Sequence, residues 1–443
     1  MHIPFEIAFV LDRLTEKGHQ AYLVGGAVRD RIMQRPNSDY DITSSASPDE
    51  VKAAFPEYTV LETGIRHGTV TVLMGDYPVE ITAFRSESGY SDGRHPDKVT
   101  FVKSLKEDLG RRDFTVNAIV YNKKTGYHDP YGGIADINSR LIRCVGDPEE
   151  RFNEDHLRIL RAARFASTLG FAVEKETAIA MHKGCESVAT VAKERIFSEL
   201  CKLLCGENVK SVLTEFSDLI FTIIPELKWE YGFDQNNPNH CFTLYEHTVN
   251  TVSYVEPKLH LRLAMLLHDI AKPMCETRDE YGISHYKGHP EAGVTVAQTV
   301  LKRLKAPSAL INTVCTLIRY HDIRYKATDR VAVKRLIGKV GIKTVRDILK
   351  LRKADTLSQS PRYYYRLDGL NKLSELVNEL EGMDAAFTVR DLALSGRDII
   401  ALGVREGPQV GKILNETLED VISDKVENEK FILISHIKKK YKL

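Results

Sequence analysis

The stretch "LVGGAVRDRIMQRPNSDYDITSS", residues 23 to 45, decides how this chain is read. It sets a Gly-Gly pair, an arginine and two aspartates separated by one tyrosine within the first tenth of the sequence. Alternate residues of a strand face the same side, so on a strand Asp39 and Asp41 stand close enough to share divalent ions. Mg²⁺ keeps several waters and takes one or two carboxylates plus substrate phosphates, which suits such a pair. Ions held there lower the pKa of an attacking hydroxyl and screen a departing pyrophosphate. Gly25 and Gly26 form a turn whose backbone N–H groups can approach phosphate oxygens, and Arg29, one helical turn on, can pair with them. Each piece alone has a plain structural account, a solvated acidic turn or a Gly-Gly loop. Together they suggest a cradle for a polyphosphate and its metal ions.

Outward from this stretch, residues 21 to 145 favour short strands: "AYLV", "YDIT", "GTVTVLM" and "PVEITAF", the last two joined at Gly75-Asp76 as a hairpin. That predicts a mixed α/β head. Glu80 lies between the apolar Val79 and Ile81 and is either a third carboxylate beside the aspartates or an ordinary exposed strand acid. "DLGRRDFTVNAIVYN", 108 to 122, adds Arg112, able to reach phosphate, and an Arg-Asp pair followed by Asn117 that suits ribose hydroxyls. Asp113 could equally be the N-cap of a helix.

"NEDHLRILRAARFA", 153 to 166, is the most informative stretch for specificity. On a helix Asp155 and Arg158 would be neighbours, with Arg161 and Arg164 continuing along a slowly rotating face. A carboxylate accepts and a guanidinium donates. Cytosine and adenine both present an exocyclic amine beside a ring-nitrogen acceptor, whereas uracil and guanine present a carbonyl beside an N–H. One such pair therefore accepts C and A and rejects U and G, at about 1–3 kcal/mol per good bidentate contact. The competing account is a helix-surface ion pair of little worth.

At 443 residues the chain exceeds a single core, and several domains are expected. Lys plus Arg (62) nearly cancels Asp plus Glu (61), so any hold on nucleic acid must come from local basic clusters. Seven cysteines without a CxxC pair fit reduced thiols. The N-terminal "MHIPFEIAFVLDRLTEKGHQ" reads as an amphipathic helix rather than a signal peptide, and no run approaches the roughly 18 apolar residues of a membrane span. A cytoplasmic protein is expected. From about 147 onward the apolar spacing is helical, with breaks near "GDPEER" (146 to 151), "FDQNNPNHCF" (233 to 242) and "LSQSPRYYYRLDG" (357 to 369). No internal repeat or low-complexity segment is visible.

G-G-A-V-R-D, D-Y-D, R-R-D-F-T-V-N-A-I, D-P-Y-G-G at 129 to 133 and E-D-H-L-R-I-L-R, in this order and spacing, resemble the class II tRNA nucleotidyltransferases and bacterial poly(A) polymerases. "KERIFSEL", 193 to 200, resembles that family's last shared helix. The resemblance implies an α+β head followed by an all-α neck, body and tail. Catalysis would be template-free addition of C and A to the 3′ end of tRNA from CTP and ATP, with release of pyrophosphate. It implies that Asp39 and Asp41 hold Mg²⁺, Gly26 and Arg29 the triphosphate, and Arg112 and Asp113 the sugar and phosphate region. Asp155, Arg158 and, in support, Arg161 and Arg164 would be the amino-acid template for the base. "FRSESGYSDGRHPDKVTF", 84 to 101, looks like the family's flexible loop for passing from C to A addition, with Gly-Arg-His-Pro where many members have two arginines before the proline. That departure leaves open an A-adding, CC-adding or poly(A)-adding relative.

A second constellation lies downstream. His268-Asp269 sits in the apolar "LRLAMLLHDIAKP", with His247 before it and His289, His321 and Asp355 after it. Imidazoles and carboxylates on successive helices can hold a transition metal or Mg²⁺ against a phosphate ester. The order resembles the HD phosphohydrolases. That resemblance implies His247, His268, Asp269 and Asp355 as ligands, with His289 and His321 extending the site toward a second metal. An HD-driven phosphohydrolase acting on nucleotides or RNA ends is thus a rival function, and a non-catalytic RNA-binding protein is a third. The expected modules are a head over 1–145, a neck over 146–235, an HD domain over 236–365 and a tail over 366–443. The tail ends in Lys438, Lys439, Lys440 and Lys442 around Tyr441, either an RNA phosphate contact or a solvated end.

Overall fold

The computed structural model describes residues 3–36, 40–75, 77–90, 93, 96–383 and 386–443. The chain divides into two compact units, Met1–Pro225 and Glu226–Leu443.

Among the described residues the head carries nine strands in chain order: β1 (Ala21–Val24), β2 (Asp41–Ser44), β3 (Thr59–Leu61), β4 (Thr69–Met74), β5 (Tyr77–Ala83), β6 (Arg85–Ser88), β7 (Lys98–Phe101), β8 (Val120–Asn122) and β9 (Gly126–His128). Seven form one mixed sheet in the order β3-β4-β5-β2-β1-β8-β9, and β6 and β7 make a separate antiparallel ribbon. Only β2 and β5 run parallel; every other pair in the large sheet is antiparallel. The four apolar runs seen in the sequence are β1, β2, β4 and β5, because alternation buries Val70, Val72, Val79 and Ile81 while their neighbours face outward. The N-terminal helix Phe5–Glu16 buries Ile7, Val10, Leu11 and Leu14, the amphipathic spacing expected of it.

From Pro148 the first unit is helical apart from a two-residue parallel pairing of Leu141–Ile142 with Ala172–Val173. The tract 146–151 is a brief break: the Asp147 carboxylate accepts from Glu149 N–H (2.8 Å) and Glu150 N–H (3.2 Å), capping the helix Pro148–Glu154. The helix Leu157–Leu169 packs on Lys193–Leu204 so closely that a Cβ at Gly206 would lie 2.1 Å from Ser167 Oγ.

The second unit is helical apart from the two-residue hairpin pair Thr277–Arg278 and Ser284–His285. Its helices Leu244–Tyr254, Leu259–Leu267, His289–Arg303, Ser308–Tyr320 and Ile342–Leu357 surround the histidine cluster. Glu246 starts the first of these by accepting from the backbone N–H (2.9 Å) and hydroxyl (2.8 Å) of Thr243. A separate apolar cluster of Ile399, Ile413, Leu433 and Ile437 holds the C-terminal helices together. The architecture is α+β, as expected. Among the described residues no helix is long and apolar enough to cross a membrane, and no disulfide joins the seven cysteines.

Candidate nucleotide site and histidine cluster

The sheet register assembles the acidic edge. Asp41 opens β2, and its register partners are Val24 on β1 and Glu80 on β5. Register partners point to the same face, so Glu80 joins Asp41 on the outward side, opposite the buried Ile42 and Ile81. Asp39 lies outside the described residues. Gly25 precedes the helix Gly26–Ile32 with φ 73° and ψ −134°, a backbone open only to glycine. A Cβ there would stand 3.6 Å from Arg112 Nη1 and 4.0 Å from Asp41 Oδ2, and one at Gly26 would stand 3.7 Å from Arg29 Nη2. The glycine turn, both arginines and the acidic edge thus converge. Arg112 Nε is buried with no partner among the described residues, a donor that a bound oxyanion would satisfy.

A chain of hydrogen bonds runs from this turn to the helix Leu157–Leu169. Arg29 Nη1 donates to Asn117 Oδ1 (2.7 Å), and Asn117 Nδ2 donates to Asp113 Oδ1 (3.0 Å). Asp113 Oδ2 then accepts from Arg161 Nε (2.9 Å) and Nη2 (2.6 Å). Burial works against ionisation of Asp113, but Arg161 and Asn117 override it and hold the carboxyl well below the usual carboxylate range. Asp113 does not begin a regular helix: Phe114 is extended and only a short 3₁₀ turn, Thr115–Asn117, follows.

The expected helical pairing of Asp155 with Arg158 is corrected by the structure. Asp155 lies between two helices with extended backbone (φ −140°, ψ 104°), and its carbonyl accepts from Arg158 N–H (2.9 Å), while the two side chains turn to other partners. Its Oδ1 accepts from Leu157 N–H (3.1 Å) and its Oδ2 from Arg195 Nη2 (3.3 Å). Arg158 pairs with Glu154 Oε2 (2.5 Å) and donates to the carbonyl oxygens of Arg111 (2.9 Å) and Arg151 (3.2 Å). Arg164 donates to Glu199 Oε2 (2.6 Å) and lies 3.6 Å above the Phe165 ring. Arg161 and Arg164 thus each pair with an acid from another element, Asp113 and Glu199.

The segment 84–101 is anchored at β6. Glu87 Oε1 accepts from Arg85 Nε (2.7 Å) and Arg111 Nη1 (3.1 Å), and Glu87 Oε2 from the Tyr90 hydroxyl (2.7 Å). Residues 91, 92, 94 and 95 lie outside the described residues. Sequence reasoning missed Glu87, Asp108, Glu154 and Arg195. Glu154, four residues before Arg158, and Asp108, three before Arg111, had a local helical signal.

All six residues of the second constellation come together. Asp269 Oδ2 lies 3.0 Å from His268 Nε2 and 3.4 Å from His247 Nε2; Asp269 Oδ1 lies 3.3 Å from His289 Nε2 and 3.6 Å from His321 Nε2. Asp355 Oδ1 is 3.2 Å from His247 Nε2. Each imidazole Nδ1 faces a backbone carbonyl: Ser358 for His247 (3.2 Å), Met265 for His268 (2.7 Å), Tyr286 for His289 (2.7 Å) and Ile318 for His321 (2.6 Å). An Nδ1–H donated to a carbonyl leaves the Nε2 lone pair bare. Those lone pairs meet 3.3 Å apart between His247 and His268 and 3.2 Å apart between His289 and His321. The buried Asp269 Oδ2 is held by Lys272 Nζ at 2.7 Å, and Oδ1 faces the imidazoles of His289 and His321. Converging lone pairs around a buried carboxylate fit divalent cations. Burial works against the charge on His247, but Asp269 and Asp355 hold its pKa up to about 9, while burial pushes that of His268 down. A cavity of about 360 Å³ opens on the cluster, and Lys272, His240, Lys287 and Arg324 also line it.

The mixed sheet brings an acidic edge, a glycine turn and two arginines together. Residues 21–143 match the family model "Poly A polymerase head domain", 170–228 the RNA and SrmB-binding site of polymerase A, and 291–437 a tRNA nucleotidyltransferase domain 2. The CCA-adding enzyme of Levilactobacillus brevis is 36% identical over 98% of both chains, and that of Enterococcus faecalis 33% identical over 98% of this chain and 95% of its own. The crystal structure of the Bacillus stearothermophilus CCA-adding enzyme in complex with CTP superposes with a TM-score of 0.71 at 28% identity, covering 100% of this chain and 98% of that one. The chain belongs to the CCA-adding enzyme family, and it is a nucleotidyltransferase.

Proposed function

We propose that this enzyme adds cytidine and adenosine to the 3′ end of tRNA from CTP and ATP, without a nucleic-acid template, releasing pyrophosphate. The observation that carries this is the convergence of Arg112, Asp41 and Gly25 at the end of a hydrogen-bonded chain that reaches the base-reading helix through Arg29, Asn117, Asp113 and Arg161.

Asp39 and Asp41 would hold Mg²⁺, with Glu80 beside them. When bound, Mg²⁺ supplies activation of the tRNA 3′-hydroxyl and screening of the departing pyrophosphate. Gly25, Gly26, Arg29 and Arg112 would seat the triphosphate, with Arg112 offering its unpaired Nε. Asp113 and Asn117 would fix Arg29 and the ribose. Asp155 would accept the exocyclic amine of cytosine or adenine, and Arg158, held by Glu154, would donate to the ring nitrogen. Much of the rate would come from holding the nucleotide in line. The four segments 1–145, 146–235, 236–365 and 366–443 would act as head, neck, HD domain and tail in a cytoplasmic enzyme.

A second activity is favoured by one observation, the four bare imidazole nitrogens around Asp269. His247, His268, Asp269 and Asp355 would hold one divalent transition metal or Mg²⁺, and His289 and His321 a second, for phosphohydrolase chemistry on nucleotides or RNA ends. The leading function is tested with tRNA transcripts lacking the last three, two or one nucleotides, supplied with CTP or ATP separately. Stepwise addition of two cytidines and then one adenosine is expected. Growth of a poly(A) tail without CTP use would overturn it in favour of a poly(A)-adding relative.

A further inference from the structure

We propose that Arg195 is a positioning residue for base selection, holding the Asp155 carboxylate toward the nucleobase. The proposal rests on Asp155 as the base-facing acceptor. Asp155 is in extended backbone at the junction of the helices Pro148–Glu154 and Leu157–Leu169. Its carboxylate is aimed by two groups: Leu157 N–H on Oδ1 (3.1 Å) and Arg195 Nη2 on Oδ2 (3.3 Å). The first belongs to the same turn and follows it wherever it goes. The second comes from another helix, Lys193–Leu204, and ties the carboxylate to the body of the unit.

That helix is built to do this. Arg195 and Glu199 are four residues apart and share a face, while Ile196, Leu200 and Leu203 bury the other side. Arg195 reaches Asp155, and Glu199 accepts from Arg164, nine residues along the same segment. One helix face thus fixes both ends of the base-reading stretch with opposite charges. Arg195 Nη1 is buried and has no partner among the described residues. An arginine serving the fold alone would have its buried donors satisfied. This one keeps a donor in reserve beside Asp155, so a carboxylate that swings is drawn back to the same fork. Without Arg195 the carboxylate is held by the Leu157 N–H alone, and the site loses part of its preference for an amine over a carbonyl.

The test is steady-state incorporation of CTP, ATP, UTP and GTP on tRNA transcripts by the full-length protein and by Arg195→Met, Arg195→Lys and Asp155→Asn, each with a thermal melt. Arg195→Met is expected to raise KM for CTP and ATP with less change in kcat, and to lower the CTP-to-UTP preference on the order of tenfold. Arg195→Lys, which keeps the charge and loses the fork, is expected to fall between. A purely structural arginine would lower Tm and kcat together and leave the preference where it was. A wild-type preference in Arg195→Met, with Asp155→Asn altered, would overturn the proposal and spare Asp155. An unchanged preference in Asp155→Asn would overturn the assignment of Asp155 itself. If Arg195→Met does not fold, Arg195→Gln is measured in the same way: a lowered preference supports the proposal and an unchanged one overturns it.

Discussion

Arg161 grips Asp113 with two N–H donors on a single carboxylate oxygen, at 2.9 and 2.6 Å, and so ties the strand-rich head to the helix Leu157–Leu169. Because Asp113 also takes the Asn117 amide, and Asn117 takes Arg29, the helices Gly26–Ile32 and Leu157–Leu169 share one hydrogen-bonded frame.

The Asp113 pair makes stability depend on acid. Its folded pKa lies below the unfolded value of about 3.9, so the unfolded chain binds the extra proton; the stabilisation is complete above that value and is lost as pH falls toward the folded pKa. Asp113→Asn should cost about 1–3 kcal/mol at neutral pH. The difference in Tm from the unsubstituted protein should hold steady from neutral down to about pH 5 and narrow below about pH 4. Thermal melts across that range check it, and a difference that stays constant into stronger acid would contradict it.

Glu154 holds Arg158 at 2.5 Å and Arg151 at 2.5 Å. Glu154→Gln keeps the shape and removes the charge that pins the Arg158 fork. Single-turnover incorporation should show kcat/KM for both CTP and ATP falling about ten- to a hundredfold, or about 1.4–2.8 kcal/mol. Equal values before and after substitution would remove Glu154 from the account.

Gly25→Ala would place a Cβ 3.6 Å from Arg112 Nη1 in a backbone conformation that alanine adopts only at a cost of about 1–3 kcal/mol. Gly126→Ala is the control, since Gly126 also has a positive φ (78°) but a Cβ there meets nothing within 4 Å. Triphosphate binding, read by CTP titration, should weaken in Gly25→Ala and stay intact in Gly126→Ala. Parallel weakening in both would reduce the effect to stability.

His268→Ala and Asp269→Ala should abolish divalent-metal binding in the second unit, measured by calorimetric titration with Mn²⁺ and Zn²⁺, while leaving CTP and ATP addition within about twofold. Loss of nucleotide addition with the metal would favour the rival in which the histidine cluster performs the main chemistry.

The strands β1, β2, β4 and β5 were legible in the sequence because alternation is carried by residue type and spacing, and the histidine cluster was legible through its resemblance to the HD phosphohydrolases. The pairing of Asp155 with Arg158 was legible only in part. Spacing placed Asp155 and Arg158 on one helix, but the chain breaks at Asp155, and Glu154 takes Arg158 instead. Partners far apart in sequence left no local signal: Asp108 is fully buried and accepts from Thr43 Oγ1 (3.0 Å), 65 residues away. At the C-terminus, Lys440 is held by Asp420 (2.6 Å), and the Tyr441 hydroxyl by Glu416 (2.5 Å), so the helix Lys430–Tyr441 is tied down while Lys438 and Lys439 stay exposed. Burial works against Asp420, but Lys440, His436 and Lys425 bring its pKa to about 2.

The most direct measurement is a crystal structure of the protein with CTP and Mg²⁺. The cytosine amine is expected within hydrogen-bond distance of the Asp155 carboxylate and the ring nitrogen facing Arg158, with the triphosphate at Gly25, Gly26 and Arg112. A cytosine bound away from residues 155 and 158, or a metal bound without the carboxylate of Asp41, would contradict the account.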